Sequence, residues 1–262
     1  MDYKHLKFEK RNDGVMILKI SRVEALNALN KSVLNELSYF FNSTMNDCSI
    51  RVVVLTGDGE KSFVAGADIK EMYNLNLSES VSFAKYGQKL LLSMYNYHAP
   101  IVAAVNGYAL GGGFEMALCC DVIFASKNAR FGFPEVTLGI IPGFGGTQVL
   151  RRLVGEKNAK YLILSGEIIS AEDAYRMNIL SKIYENQADL VAGAINYAEK
   201  IAKNSPKSVE LAKRAINVSF DLSLERGLEY ESSLFGVLFT TDDQKEGMRA
   251  FVEKRKAEFK GN

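Results

Sequence analysis

Four runs of strand length carry almost no polar residues: VMILKI (15–20), IRVVVLTG (50–57), PIVAAVNG (100–107) and DVIFAS (121–126). Continuous apolar, β-branched runs read as strands buried on both faces, because a sheet with one wet face would alternate. Such strands need helices above and below them. Helical patterns lie between them at 30–46, 70–97 and 113–120. The order βαβα predicts an α/β fold with right-handed crossovers, and this layered organisation fills residues 1–200.

Residues 201–262 change character. Ser205-Pro206 offers an N-cap followed by proline at the first helical position, and Thr241 with Gln244 forms a capping-box pattern ahead of Met248, Phe251 and Val252. The tail is therefore expected to be helical, packing on its own core or reaching a neighbouring subunit. No low-complexity tract or linker sets it apart.

With 262 residues, 47% apolar, the chain can bury a large core. Thirty-two basic against 31 acidic residues give a net charge of +1, which argues against duplex nucleic acid or an anionic bilayer as the main partner. The charged N-terminus has no apolar signal region, and the run 100–125 is broken by Asn106, Glu115 and Asp121. A soluble cytoplasmic protein is expected. Cys48, Cys119 and Cys120 offer neither a disulfide framework nor metal spacing, which fits a reducing compartment.

Residues 109–115 read ALGGGFE. A strand ending near Gly107 and a helix following it place Gly112 at the helix start and Glu115 one turn in. Glycine there lets a ligand approach free backbone N–H groups, as an oxyanion requires; a close helix–strand crossing would also call for small residues. FVAGADIKEM (63–72) has similar grammar, with Gly66 and Ala67 just ahead of a helix. Two N–H donors, one from each helix start, could grip one carbonyl oxygen, each contributing roughly 2.7–4 kcal/mol to a transition state. FGFPEVTLGIIPGFGG (131–146) adds Glu135, whose local sequence fits a solvent-exposed glutamate as well as a functional one. Burial would push the Glu115 carboxyl toward protonation while the helix N-terminus opposes it.

Taken together, NALN, FVAGADIKEM, PIVAAVNGYALGGGFE, FGFPEVTLGIIPGFGGTQ and DDQKEGMRAFVEKRK resemble the crotonase family, and within it the short-chain enoyl-CoA hydratases of the 3-hydroxybutyryl-CoA dehydratase type. The likeness runs from about residue 6 to the C-terminus. It implies a crotonase-like fold of repeated ββα units forming a spiral core, with a C-terminal helical region that serves trimerisation. It also implies reversible hydration of trans-2-enoyl-CoA. Ala67 and Gly112 match the oxyanion-hole positions, and Glu115 and Glu135 the two carboxylates, the first deprotonating water for attack at Cβ and the second protonating Cα. Gly143 matches a position whose N–H helps hold that water. Having both glutamates favours hydration over isomerisation, which needs only the second, and each such group is worth roughly 10²–10⁴-fold.

By the same resemblance Ala25, Ala65, Asp68, Ile69 and Lys70 border the coenzyme A moiety, which is part of the substrate; no separate cofactor and no metal is implied. Phe251 and Lys254 would approach from a neighbouring subunit of a hexamer, a dimer of trimers. Phe114 and Phe133 depart from the family pattern and are expected to narrow the acyl pocket toward short chains; Val23 and Glu24 replace a proline and a basic residue near the nucleotide. His5 and His98 are the only histidines and no G-x-S-x-G elbow occurs, so serine-hydrolase and zinc chemistry fit poorly. Competing readings are an enoyl-CoA isomerase, a hydratase of branched or aromatic acyl groups, and an RNA-binding member. The last would need a basic surface, yet RRLVGEKNAK (151–160) and EKRKAEFK (253–260) are diluted by acids and apolar residues.

Overall fold

The computed structural model describes residues 2–262. Strands β1 (Leu6–Lys10) and β2 (Val15–Ile20) form an antiparallel pair, and helix α1 (Lys31–Ser43) follows, capped by the Asn30 side chain. Three repeats then share one plan: β3 (Val52–Gly57), β4 (Ser62–Ala65), α2 (Ile69–Met72) and α3 (Leu77–Tyr95); β5 (Ile101–Val105), β6 (Tyr108–Leu110) and α4 (Gly112–Leu118); β7 (Val122–Ser126), β8 (Arg130–Gly132) and a 3₁₀ turn (Pro134–Leu138). The first strand of each repeat joins one sheet, ordered β1-β2-β3-β5-β7 and closed by β10 (Lys182–Tyr184), and the second joins another, ordered β4-β6-β8 and closed by β9 (Ile168–Ser170). The chain thus winds from sheet to sheet as a spiral of ββα units. Helix α5 (Gly146–Ser165), kinked at Gly155, leads to β9 (Ile168–Ser170), α6 (Ala171–Arg176), β10 (Lys182–Tyr184) and α7 (Gln187–Ala202).

The apolar runs are buried on both faces because each face has its own cover. Val53, Leu55, Ile101, Ala103 and Val105 point into the main core. Their neighbours Val52, Val54, Val102 and Ala104 pack on Leu190, Ala194, Ala198 and Ala202 of α7, whose small residues let the helix lie close to the sheet.

Residues 70–97 do not form the single helix expected. Asn76 and Glu79 make a complete capping box that starts α3 afresh, leaving α2 as a short turn before it. Strand β1 was hidden because all but Leu6 of its residues are exposed, and the strands of the second sheet are only three or four residues long. The tail is helical: α8 (Pro206–Val218), α9 (Leu224–Leu238) and α10 (Asp242–Val252). Ser205 and Thr241 cap α8 and α10, although Gln244 turns to the Met248 sulfur rather than closing its half of the box. Lys213 of α8 reaches back to Asp121 at 2.8 Å, a part-buried pair that ties the tail to the layered core. Among the described residues no helix is long and apolar enough to cross a membrane.

Candidate active site

The parallel strands β4, β6 and β8 end together. Ala65 is in register with Leu110, and Leu110 with Gly132. Ala67 and Gly112 therefore lie two residues past the ends of adjacent strands, and Glu135 three residues past the end of the next. Ligands of parallel sheets gather at such carboxyl ends.

Each N–H at this edge is left free by the way its neighbours are held. Leu29 donates to the Gly66 carbonyl and accepts from the Asp68 N–H, a parallel bridge that turns the Ala67 N–H to the opposite side. Gly112 opens α4, where the first N–H groups have no intrahelical acceptor. Among the described residues neither N–H is hydrogen-bonded. Arg22 fixes the first donor further: its guanidinium meets Asp68 at 2.8 Å and the Ala28 carbonyl at 3.2 Å, and Asp68 caps α2.

The three glycines of ALGGGFE have separate reasons. Gly111 adopts φ 48°, ψ −123°, and a Cβ there would lie 2.5 Å from Glu135 Oε1. Gly113 is pressed on β4, where a Cβ would fall 2.0 Å from the Val64 carbonyl oxygen. The helix–strand crossing and the open N-terminus are thus both present, one residue apart.

Glu115 is buried, and its Oε1 accepts from the Phe144 and Gly146 N–H groups at 2.8 and 2.7 Å. Burial nevertheless outweighs these donors and pushes its carboxyl up to about 6. Glu135 is half-buried, its Oε2 has no hydrogen-bond partner among the described residues, and burial together with the charge of Glu115 raises it to about 7. The site thus holds two carboxyl groups that titrate near neutrality beside two unengaged N–H donors.

That combination is the one the resemblance implied, and the matching region is nearly the whole chain: residues 10–262 fit the profile described as Enoyl-CoA hydratase/isomerase. The chain belongs to the enoyl-CoA hydratase/isomerase family. It is 46% identical to a short-chain-enoyl-CoA hydratase of Clostridium acetobutylicum over 98% of each chain, and 43% identical to a crotonyl-CoA hydratase of Syntrophomonas wolfei over 99% of each. The crystal structure of an enoyl-CoA hydratase from Bacillus anthracis superposes with a TM-score of 0.95 at 37% identity, covering 99% of this chain and 100% of the other. The crotonase fold expected from the sequence is therefore the fold observed.

The remaining residues singled out by their family match divide into two groups. Ala25, in a 3₁₀ turn (Val23–Ala25), Ala65, Asp68, Ile69 and Lys70 form one surface, joined by the Ala65 N–H on the Leu26 carbonyl and by the Arg22–Asp68 pair. Gly143 lies one residue before Phe144, and its carbonyl accepts from Gln88 Nε2. Phe251, 86% exposed, and Lys254 lie at the end of α10, and within this chain neither hydrogen-bonds to the site.

Phe114 and Phe133 are both fully buried and stack on one another, with ring centroids 4.8 Å apart. Arg22 and the Phe144 and Gly146 donors went unnoticed in the sequence; the glycines at 145 and 146 just before an amphipathic run were the available signal for the latter. Cys119 and Cys120 are buried, and burial pushes the Cys119 thiol up to about 12, so neither offers a thiolate. A cavity of about 830 Å³ among Asp13, Arg51, Glu199, Lys203, Lys256 and Phe259 shares no residue with this centre.

Proposed function

We propose that this protein adds water reversibly across the double bond of short-chain trans-2-enoyl-CoA thioesters, crotonyl-CoA foremost, to give the 3-hydroxyacyl-CoA. The observation that carries the reading is the pair of near-neutral carboxyl groups, Glu115 at about 6 and Glu135 at about 7, beside the free Ala67 and Gly112 N–H groups. The thioester carbonyl oxygen rests on the two N–H donors. Glu115, the more acidic of the pair, is the carboxylate at neutral pH and takes a proton from water as the water oxygen bonds to Cβ. The alkene electrons move onto the thioester oxygen, where the two donors stabilise the enolate. Glu135, the less acidic group, is the proton donor to Cα. Dehydration runs the same path with the roles exchanged, so both directions need one proton shared between the two carboxyls.

Coenzyme A is bound as part of the substrate along Ala25, Ala65 and Asp68–Lys70, and the Gly143 N–H helps hold the attacking water. The protein works in the cytoplasm as a hexamer, a dimer of trimers, with residues 201–262 as the oligomerising region. Helix α9 has no buried residue, and Ile216, Phe220, Leu224, Leu228 and Phe235 are all more than half exposed, an apolar surface that a neighbouring subunit would cover. Phe251 and Lys254 then reach the coenzyme of that neighbour. Against an RNA-binding role, Arg152, Lys160 and Arg255 each pair with a carboxylate.

The test is crotonyl-CoA turnover, followed by loss of the conjugated enoyl-thioester absorbance, for the parent beside Glu115→Gln and Glu135→Gln. Formation of 3-hydroxybutyryl-CoA, with both variants impaired by orders of magnitude, is the expected result. An inert parent that instead shifts a 3-enoyl double bond, with Glu115→Gln scarcely altered, would replace hydration by isomerisation.

A further inference from the structure

Gly87 is a buried glycine inside the nineteen-residue helix α3, a place where glycine weakens a helix. The space its side chain would fill is taken by Phe144. A Cβ on Gly87 would fall 2.2, 2.3 and 2.5 Å from Cδ1, Cε1 and Cγ of that ring. The opposite edge of the ring lies over Gly112, with Cδ2 and Cε2 at 3.3 and 3.4 Å from where a Cβ of Gly112 would be. Phe83 of α3 packs beside it, with ring centroids 5.3 Å apart. The backbone of the same residue donates to Glu115 at 2.8 Å, and Gln88, next in α3, holds the Gly143 carbonyl at 2.9 Å. One side chain thus touches α3 and the oxyanion donor, while its own N–H holds a carboxylate.

We propose that Gly87 and Phe144 are positioning residues: the ring seated on Gly87 fixes the 143–146 loop, so that the Phe144 N–H meets Glu115 and the start of α4 is held in place. The consequence for turnover rests on the hydratase reading; the consequence for the Glu115 carboxyl does not. An alanine at 87 cannot coexist with the ring where it stands, and displacing the ring is expected to draw the Phe144 N–H from Glu115. Losing that donor would raise the Glu115 carboxyl further, since the N–H stabilises the charged form.

Gly87→Ala, Phe144→Ala and the double variant are compared for crotonyl-CoA kinetics against pH and for titration of the Glu115 carboxyl by infrared spectroscopy, the band being assigned by its loss in Glu115→Gln. Folding is checked by circular dichroism and assembly by gel filtration. Gly87→Ala is expected to lower kcat roughly 10- to 100-fold, the scale of an ångström-sized misplacement, with KM little changed and the Glu115 titration moved upward. Phe144→Ala, which removes the seat, moves the same titration upward. Adding Gly87→Ala to Phe144→Ala then changes kcat by less than about twofold, because the clash is gone.

The proposal is overturned if Phe144→Ala leaves kcat and the Glu115 titration as in the parent, a result that stands even if Gly87→Ala does not fold. It is equally overturned if Gly87→Ala is as damaging without the ring as with it. A parent inactive on crotonyl-CoA whose Glu115 band still shifts in the variants would remove the hydratase reading and leave the positioning role intact.

Discussion

The two glutamates face one reaction space from opposite kinds of support. Glu115 stands in a regular helix with two backbone N–H groups on one oxygen, whereas Glu135 stands on a short 3₁₀ turn with its Oε2 buried and unpartnered and its Oε1 against Gly111. Both are raised by burial, which the backbone N–H groups of residues 144–146 oppose at Glu115 and its own backbone N–H opposes at Glu135, and the Glu115 charge in turn raises Glu135. In the proposed hydration this difference separates a base from an acid without any difference in residue type.

The largest effect that could break this division is loss of either carboxyl. Glu115→Gln and Glu135→Gln should each lower kcat by roughly 10²–10⁴-fold, read from single-turnover crotonyl-CoA hydration. Because the groups act in one step, the double variant should fall little below the worse single one. Fully multiplicative losses would mean that the two act independently. A sharper form uses pH. With Glu115 at about 6 and Glu135 at about 7, kcat/KM should rise as Glu115 ionises, peak between these values and fall as Glu135 ionises. Hydration and dehydration should share that profile, since both need the singly protonated pair; different optima for the two directions would contradict the assignment.

A smaller perturbation addresses one side alone. Gly111→Ala would put a Cβ 2.5 Å from Glu135 Oε1 and force a positive φ on alanine, whereas Glu115 meets Gly111 only through the backbone, its N–H donating to the Gly111 carbonyl at 2.9 Å. The expected loss is roughly 10- to 100-fold in kcat/KM, with the alkaline limb displaced and the acidic limb unmoved. Displacement of the acidic limb would show that the two supports are not separate.

Legibility in the sequence followed the same division. Glu115 stood out because an apolar helix has few reasons to carry a carboxylate, and the flanking strands were plain because Val52–Leu55 and Ile101–Val105 are buried on both faces. Glu135 did not, since a glutamate after Pro134 in a short turn looks the same whether wet or buried; only the meeting of β6 and β8 places it against Gly111. The second sheet escaped notice because three residues such as Tyr108–Leu110 carry no periodicity. The break at Asn76 was readable in the Asn76–Glu79 capping pair but was masked by apolar residues on both sides.

The smallest effect concerns stability rather than rate, and it separates the cost of holding Glu115 from its use. Its folded carboxyl titrates at about 6 against a usual 4.5, so folding takes up a proton that the unfolded chain releases in that interval. The stability from the neutral group is complete below 4.5 and is lost as pH rises through about 6. At pH 8 the charged Glu115 therefore costs about 2 kcal/mol relative to a neutral group in the same place, because a tenfold change in proton affinity corresponds to about 1.4 kcal/mol. Glutamine keeps an oxygen for the Phe144 and Gly146 donors and carries no charge. Glu115→Gln should accordingly melt above the parent at pH 8, and the gap should close toward pH 4.5 in thermal scans. A variant that melts below the parent at pH 8 would mean that the N–H donors, not burial, dominate the energetics of this glutamate, and would remove the reason for its raised titration.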